Sequence, residues 1–173
     1  LRLALIPSSQ AADDDFIVFL AGGPGQSAVD TWPQMAAALD AAGKHRHVLL
    51  LDQRGTGLST PITAQTMRGL GSAQAQADYL RHFRADNIVR DAEAIRAQLI
   101  GEQQWSILGQ SFGGFCAMRY LSAAPQGLKE VLITGGIPSL TRPVDDVYRA
   151  TYRRVIDKNR LYYRRYPADV ETV

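Results

Sequence analysis

The sequence predicts an α/β protein, a mostly parallel sheet with helices on both faces. Three observations carry this. Short, continuous apolar runs at Phe16–Leu20, Val48–Leu51 and Val131–Thr134 read as strands, the last two with the composition of strands buried on both faces. Stretches of helical period stand between them. Glycine-rich loops follow the strands at once, at 21–25, 52–57 and 109–114. Buried strands alternating with helices imply parallel pairing with crossover helices.

Each element follows from its local pattern. Leu1–Ile6 and Phe16–Leu20 are apolar runs separated by the polar stretch Ser8 to Asp15, which reads as a hairpin-type connection. Ala21-Gly22-Gly23-Pro24-Gly25 is too rich in Gly and Pro for a helix interior. Gln34–Ala42 is helix-prone and meets a C-terminal cap residue at Gly43. The Val48–Leu51 strand runs into the loop Asp52-Gln53-Arg54-Gly55-Thr56-Gly57. An Ala- and Gln-rich helical stretch covers Ser72–Phe83. In Asn87–Ile100, Ile88, Ala92, Ile95 and Leu99 recur at helical spacing before Gly101 ends the run. Ser106–Leu108 is a strand, Gly109–Gly114 a turn, and Phe115–Ala124 a helix closed by Pro125 and Gly127. Val131–Thr134 is the last strand, followed by Gly135 and Gly136. Composition shifts after Pro143, where Asp145 to Tyr166 is helical in period and rich in Tyr and Arg.

Composition excludes several classes of function. The 173 residues are 46% apolar, ordinary for a globular protein and too high for a disordered one. A net charge of +2, spread along the chain, gives no case for nucleic acid or an acidic membrane surface. No run of about 18 apolar residues exists, so no membrane-spanning helix is expected. The Tyr- and Arg-rich tail reads as a solvated amphipathic helix with a Tyr-rich inner face, in preference to a base-stacking surface. One cysteine, Cys116, rules out an internal disulfide framework and favours a reducing, cytoplasmic compartment. The chain starts at Leu1, without Met and inside an apolar alternation, which leaves an upstream start or a removed signal peptide open.

The strongest chemical signal is Gly109-Gln110-Ser111-Phe112-Gly113-Gly114. A serine on a tight strand-to-helix turn has its hydroxyl projected above the sheet edge. Glycines at its flanks, Gly109 and Gly113, are needed because the turn is sharp and the helix must pack close to the strand. The helix N-terminus supplies free N–H groups where an oxyanion would form, and Phe112 N–H is the natural first donor. The loop ending in Gly25 should lie at the same sheet edge, with Gly22 or Gly23 as second donor. Pro24 has no N–H to give. Asp52 and Arg54 are charged residues at the end of an apolar strand. They are expected to pair with each other or with nearby backbone, as a scaffold for the site loops. His45, His47 and His82 read as exposed, and no Cys/His/carboxylate cluster has metal-ligand spacing. Cys116 reads as a small core residue.

Together, Ala21–Gly25, Asp52-Gln-Arg-Gly-Thr-Gly-Leu-Ser-Thr-Pro61 and Leu108-Gly-Gln-Ser-Phe-Gly-Gly-Phe-Cys116 resemble the proline iminopeptidase (prolyl aminopeptidase) family of α/β-hydrolases. Ile133–Pro138 and the Tyr148–Tyr166 stretch look like its larger-subunit branch. Ala21 is a departure, since many members have His or Gln there. The resemblance implies Ser111 as nucleophile, with Phe112 and a glycine of the Gly22–Gly23 pair forming the oxyanion hole. It implies no metal or organic cofactor, and a peptide substrate with a free N-terminal proline; self-association into a homo-oligomer stays open. Residues 1–140 are then the N-terminal part of the core and 141–173 the start of a helical cap.

In this fold the triad runs Ser, then Asp or Glu, then His. No histidine follows Ser111, and Asp145, Asp146, Asp157 and Asp169 fall in the helical tail. The expectation is therefore a truncated chain, inactive alone, with an open apolar edge after its last strand. A tripeptidyl aminopeptidase or esterase on the same frame is the enzyme alternative. A non-catalytic half-domain is the alternative of another class.

Overall fold

The computed structural model describes residues 1–173 apart from Lys44, Leu140 and Val173, with backbone alone for 37–43. The chain divides into two units, Leu1–Ile137 and Pro138–Val173. The first holds a five-stranded sheet formed by β1 (Arg2–Ile6), β2 (Phe16–Leu20), β3 (His47–Asp52), β4 (Trp105–Gln110) and β5 (Leu128–Thr134). Its order is β1-β3-β2-β4-β5, parallel throughout except that β1 runs antiparallel to β3. Helices α1 (Ala28–Gly43), α2 (Ala64–Gly69), α3 (Ala73–Leu80), α4 (Ala85–Ile100) and α5 (Phe112–Ala123) complete this unit.

Alternation along the strands builds a core on each face. Val18, Leu20, Leu49, Leu51 and Ile107 face one way, against Ile88, Val89 and Ala92 of α4 and Ala117 and Tyr120 of α5. Ile17, Phe19, Val48, Leu50 and Leu108 face the other, with Ala28 and Trp32 of α1. This is the α/β arrangement expected from the sequence.

Several expectations are corrected. No hairpin joins β1 to β2. Every residue of β2 is buried, and parallel partners occupy both its edges. The half-exposed β1 takes the outer edge of β3 instead. Hairpin loops run to about 5 residues, and the longer link from 7 to 15 lets β1 step over a strand. Helix α1 begins at Ala28, ahead of Gln34, and carries Pro33 within it. Helix α5 begins at Phe112, so Gly113 and Gly114 belong to its first turn. In α4, Leu99 is 50% exposed while Arg96 is buried.

Arg96 is buried because its hydrogen bonds are satisfied. Its Nε and Nη2 donate to the two carboxylate oxygens of Glu93 at 2.9 and 3.0 Å. Its Nη1 donates to the carbonyls of Gly101 and Gln103 at 3.0 and 2.6 Å. Tyr120 also donates to Glu93, and Trp105 Nε1 donates to the Tyr120 hydroxyl at 3.2 Å. The cluster ties α4, α5 and β4 together. Burial pushes the Glu93 carboxyl up, but the bonds from Arg96 and Tyr120 outweigh it and hold Glu93 below the usual range.

The second unit contains α6 (Val144–Arg165) and a short 3₁₀ turn, Pro167–Glu171. No described residue of α6 is buried, so the tyrosine face expected to turn inward is exposed, with Tyr148 61% and Tyr152 65% accessible. Tyr162 donates to Asp169 Oδ2 at 2.5 Å and packs on Tyr166, ring centroids 5.0 Å apart. The helix ends fit its dipole, with Asp145 and Asp146 in the first turn and Arg164 and Arg165 in the last.

Two predictions follow from this packing. Because the Glu93 carboxyl is depressed, its stabilisation is present above the unfolded carboxyl pKa and disappears as pH falls through the folded value. Glu93→Gln should cost about 3 kcal/mol at neutral pH by stranding Arg96. It should also flatten the decline in melting temperature between about pH 5 and pH 3. Melting curves of both forms across that range check this. A Cβ at position 113 would fall on the Leu20 carbonyl oxygen. Gly113→Ala should therefore destabilise by about 1–3 kcal/mol through overpacking, read as a lower denaturant midpoint.

Candidate active site

The parallel strands β2, β3 and β4 end at one edge of the sheet, and the loops leaving them converge there. From β4 the chain turns at once into α5. Ser111 makes the turn at φ +52°, ψ −115°, a left-handed conformation that a non-glycine residue adopts only under constraint. Its N–H donates to the Thr134 carbonyl at the end of β5, 3.2 Å away. Its carbonyl accepts from the N–H groups of Gly114 and Phe115 at 2.9 and 3.2 Å. The backbone of Ser111 is thus fixed on both sides, and its side chain is half-exposed at the sheet edge. Gly113 lets α5 lie on β2, and Gly109 lies where a side chain would meet the Gly113 carbonyl. Phe112 is the first residue of α5, so its N–H has no acceptor within the helix.

The glycine loop after β2 reaches this turn. A Cβ on Gly22 would stand 3.0 Å from Ser111 Cβ and would collide with the Gln110 side chain. The position is therefore restricted to glycine by the approach of the serine turn. Gly23 and Gly25 are exposed, with φ of +112° and +113°. The structure brings Ser111, Phe112 and Gly22 together, with Gly23 next in the loop.

Two neighbouring residues at the end of β3 hold the two ends of that loop. Gln53 Nε2 donates to the Ala21 carbonyl at 3.1 Å. Asp52 Oδ1 accepts from Ser27 Oγ at 2.8 Å and from Ala28 N–H at 2.9 Å, where α1 starts. Its Oδ2 accepts from Leu58 N–H at 3.2 Å. Asp52 is fully buried and Gln53 nearly so. A carboxylate at a helix N-terminus meets unpaired N–H groups and the positive end of the dipole.

Asp52 and Arg54 do not pair with each other; both bond to backbone, the other arrangement expected, and Arg54 adds a carboxylate partner. Asp52 shares the side of the sheet that carries α1, whereas the loop turns Arg54 towards α4. There Arg54 Nε and Nη2 contact the Asp91 carboxylate at 2.7 and 2.5 Å, and Nη1 donates to the His82 carbonyl at 2.6 Å. The Asp91 bond holds the guanidinium more firmly protonated than usual.

Ser27 and Gln53 were not singled out from the sequence. Ser27 had a signal, since Ser27-Ala-Val-Asp30 has helix-start spacing, and Ser27 Oγ accepts from Asp30 N–H at 3.2 Å. Gln53 stood within the Asp52–Gly57 motif without a role of its own, and nothing in the sequence marked Asp91; the partners of both lie more than thirty residues away.

The histidines stand apart from the serine. His45 and His82 are exposed. His47 is half-buried, a correction: its Nδ1 accepts from Ser8 N–H at 3.1 Å and its ring packs on Phe16. It begins β3, at the opposite end of the sheet from Ser111. Cys116 is buried, and burial pushes its thiol up to about 12. Among the described residues no group of three His, Cys, Asp or Glu could hold a metal ion, and no helix is long and apolar enough to cross a membrane.

The model of the alpha/beta hydrolase fold family matches residues 15–170. The chain is 53% identical over 160 residues to a proline iminopeptidase of Aeromonas sobria, covering 90% of this chain and 36% of that one. It is 41% identical over 163 residues to proline iminopeptidase aneH of Aspergillus aculeatus, covering 91% and 36%. It thus spans about a third of the length of these curated relatives. The crystal structure of a Mycobacterium smegmatis proline iminopeptidase superposes with a TM-score of 0.54 at 25% identity, over 75% of this chain and 38% of that one. An esterase from Exiguobacterium antarcticum superposes with a TM-score of 0.53 at 18% identity, over 83% and 44%, and shows the fold alone. A family match over nearly the whole chain, joined to this strand order, means that the chain belongs to the α/β-hydrolase fold family, with proline iminopeptidases among its similar relatives.

Proposed function

We propose that the protein is a serine aminopeptidase of the proline iminopeptidase type, releasing N-terminal proline from peptides through an acyl-enzyme. The observation that carries this is the meeting of the strained Ser111 turn with the Gly22 loop. The similarity to proline iminopeptidases supports the choice of acyl group. The one cysteine, buried and unpaired, supports a cytoplasmic setting.

Ser111 Oγ attacks the carbonyl carbon of the proline residue, and a histidine accepts the hydroxyl proton. The oxyanion forms beside Phe112 N–H and a donor from Gly22 or Gly23, at the N-terminus of α5. The protonated histidine then gives its proton to the leaving amine, and the peptide departs. Water, activated by the same histidine, hydrolyses the prolyl ester and restores Ser111. That histidine and its carboxylate partner come from outside residues 1–173, since none of the three histidines here follows Ser111. The matched relatives being nearly three times as long supports this placement.

Ser111→Ala in the whole protein should lower kcat/KM for proline 4-nitroanilide by about 10⁴-fold or more. A serine-directed fluorophosphonate should label the wild type at Ser111 and leave the variant unlabelled; equal turnover by the two would refute the assignment. Asp52→Asn turns an oxygen acceptor at the α1 terminus into a potential N–H donor facing N–H groups. It should lower kcat by about ten- to a hundredfold with a smaller change in KM, because the displaced loop acts on the oxyanion rather than on ground-state binding. Steady-state kinetics on the same anilide measure the split.

A further inference from the structure

A cavity of about 510 Å³ opens beside the oxyanion donors. Its apolar wall is made by Pro24 of the glycine loop, Phe83, Phe112 and Phe115. Phe112 directly follows Ser111 and Pro24 directly follows Gly23, so this space borders the turn and the loop that flank the serine. Pro24, Phe83 and Phe112 also line an adjoining cavity of about 340 Å³, which widens it towards Gly55. The volume and lining are those of a site for one or two residues.

The rim is cationic. Arg84 and Arg119 line the cavity, both exposed, and among the described residues neither has a carboxylate partner. Asp86 is the one carboxylate in the lining. It offsets one of the two guanidinium charges and leaves the rim positive. Arg54, on the adjoining cavity, is already held by Asp91.

This charge decides which half of the substrate fits. An N-terminal proline carries a positive secondary amine, which two free guanidinium groups repel. The departing half of a short peptide carries a C-terminal carboxylate, which guanidinium groups bind with charge-assisted, often bidentate, hydrogen bonds. Resting on the aminopeptidase reading, we infer that this cavity receives the leaving half of the substrate, an apolar residue whose free carboxylate is held by Arg84 and Arg119. Proline dipeptides with an apolar second residue are then favoured over the same peptides with a blocked C-terminus.

The test uses the whole protein with Pro-Leu, Pro-Leu amide and proline 4-nitroanilide, the last two lacking a carboxylate. Wild type should show a kcat/KM for Pro-Leu roughly tenfold above that for Pro-Leu amide. The ratio should fall towards one in the Arg84→Gln/Arg119→Gln double variant and with added KCl. Arg84→Lys, which keeps the charge, should retain most of it, and thermal melts establish that each variant is folded. A wild-type ratio near one, or a ratio the double variant leaves intact, overturns the inference while anilide hydrolysis keeps the aminopeptidase reading. Absence of hydrolysis of all three substrates by the wild type overturns that reading and this inference with it.

Discussion

The carboxylate of Asp52 is the constraint on which the rest of the site depends. It is fully buried, and among the described residues no cation pairs with it. Its charge is accommodated by hydrogen bonds from Ser27, Ala28 and Leu58 and by the N-terminus of α1. A buried charge tolerates little displacement of its donors, because each lost bond leaves the full desolvation cost uncovered. The start of α1, the end of β3 and the return of the 53–58 loop are therefore locked to one point. With Gln53 on Ala21, the glycine loop is held at both ends while its middle stays free to meet a ligand.

The same division between held ends and open middle describes the serine turn. Ser111 is strained, and its N–H and carbonyl are both taken up by Thr134, Gly114 and Phe115. Strain of this kind persists only where the surroundings over-determine it. Here they do so through β5 on one side and the close packing of α5 on β2 on the other. The Arg96–Glu93–Tyr120 cluster fixes α4 against α5 farther along, so the first turn of α5 sits on a braced helix.

What was legible in the sequence followed how local its cause was. The buried strands β2 and β3 showed as unbroken apolar runs, whereas Val131–Thr134, read as buried in the same way, is only partly covered. The serine turn showed through its compact Gly-Gln-Ser-Phe-Gly-Gly pattern, although Gly113 and Gly114 are required by the distant carbonyls of Leu20 and Gly135. The partner of β1 was not legible: pairing with β2 or β3 buries the same apolar face, and only the occupation of both edges of β2 decides it. The start of α1 was missed because the helix-prone run was read only from Gln34, although Ser27 already supplied a cap. Arg96 in place of Leu99 was hidden for another reason. A buried arginine depends on Glu93, Gly101 and Gln103 all being in place, and periodicity registers hydrophobicity alone.

The pairing of β2 with β4 carries a consequence for how the protein assembles. Ile17 lies beside Ser106 in register, residues almost ninety positions apart. Bringing such distant segments together is entropically costly and slow, and it comes after local helices have formed. Gly22 and Ser111 extend directly from these two strands, so the serine turn has no glycine loop beside it until that long-range closure is complete. Newly made or partly unfolded chains therefore lack the constraints on the Ser111 backbone, and the geometry of the turn arises only with the closed sheet.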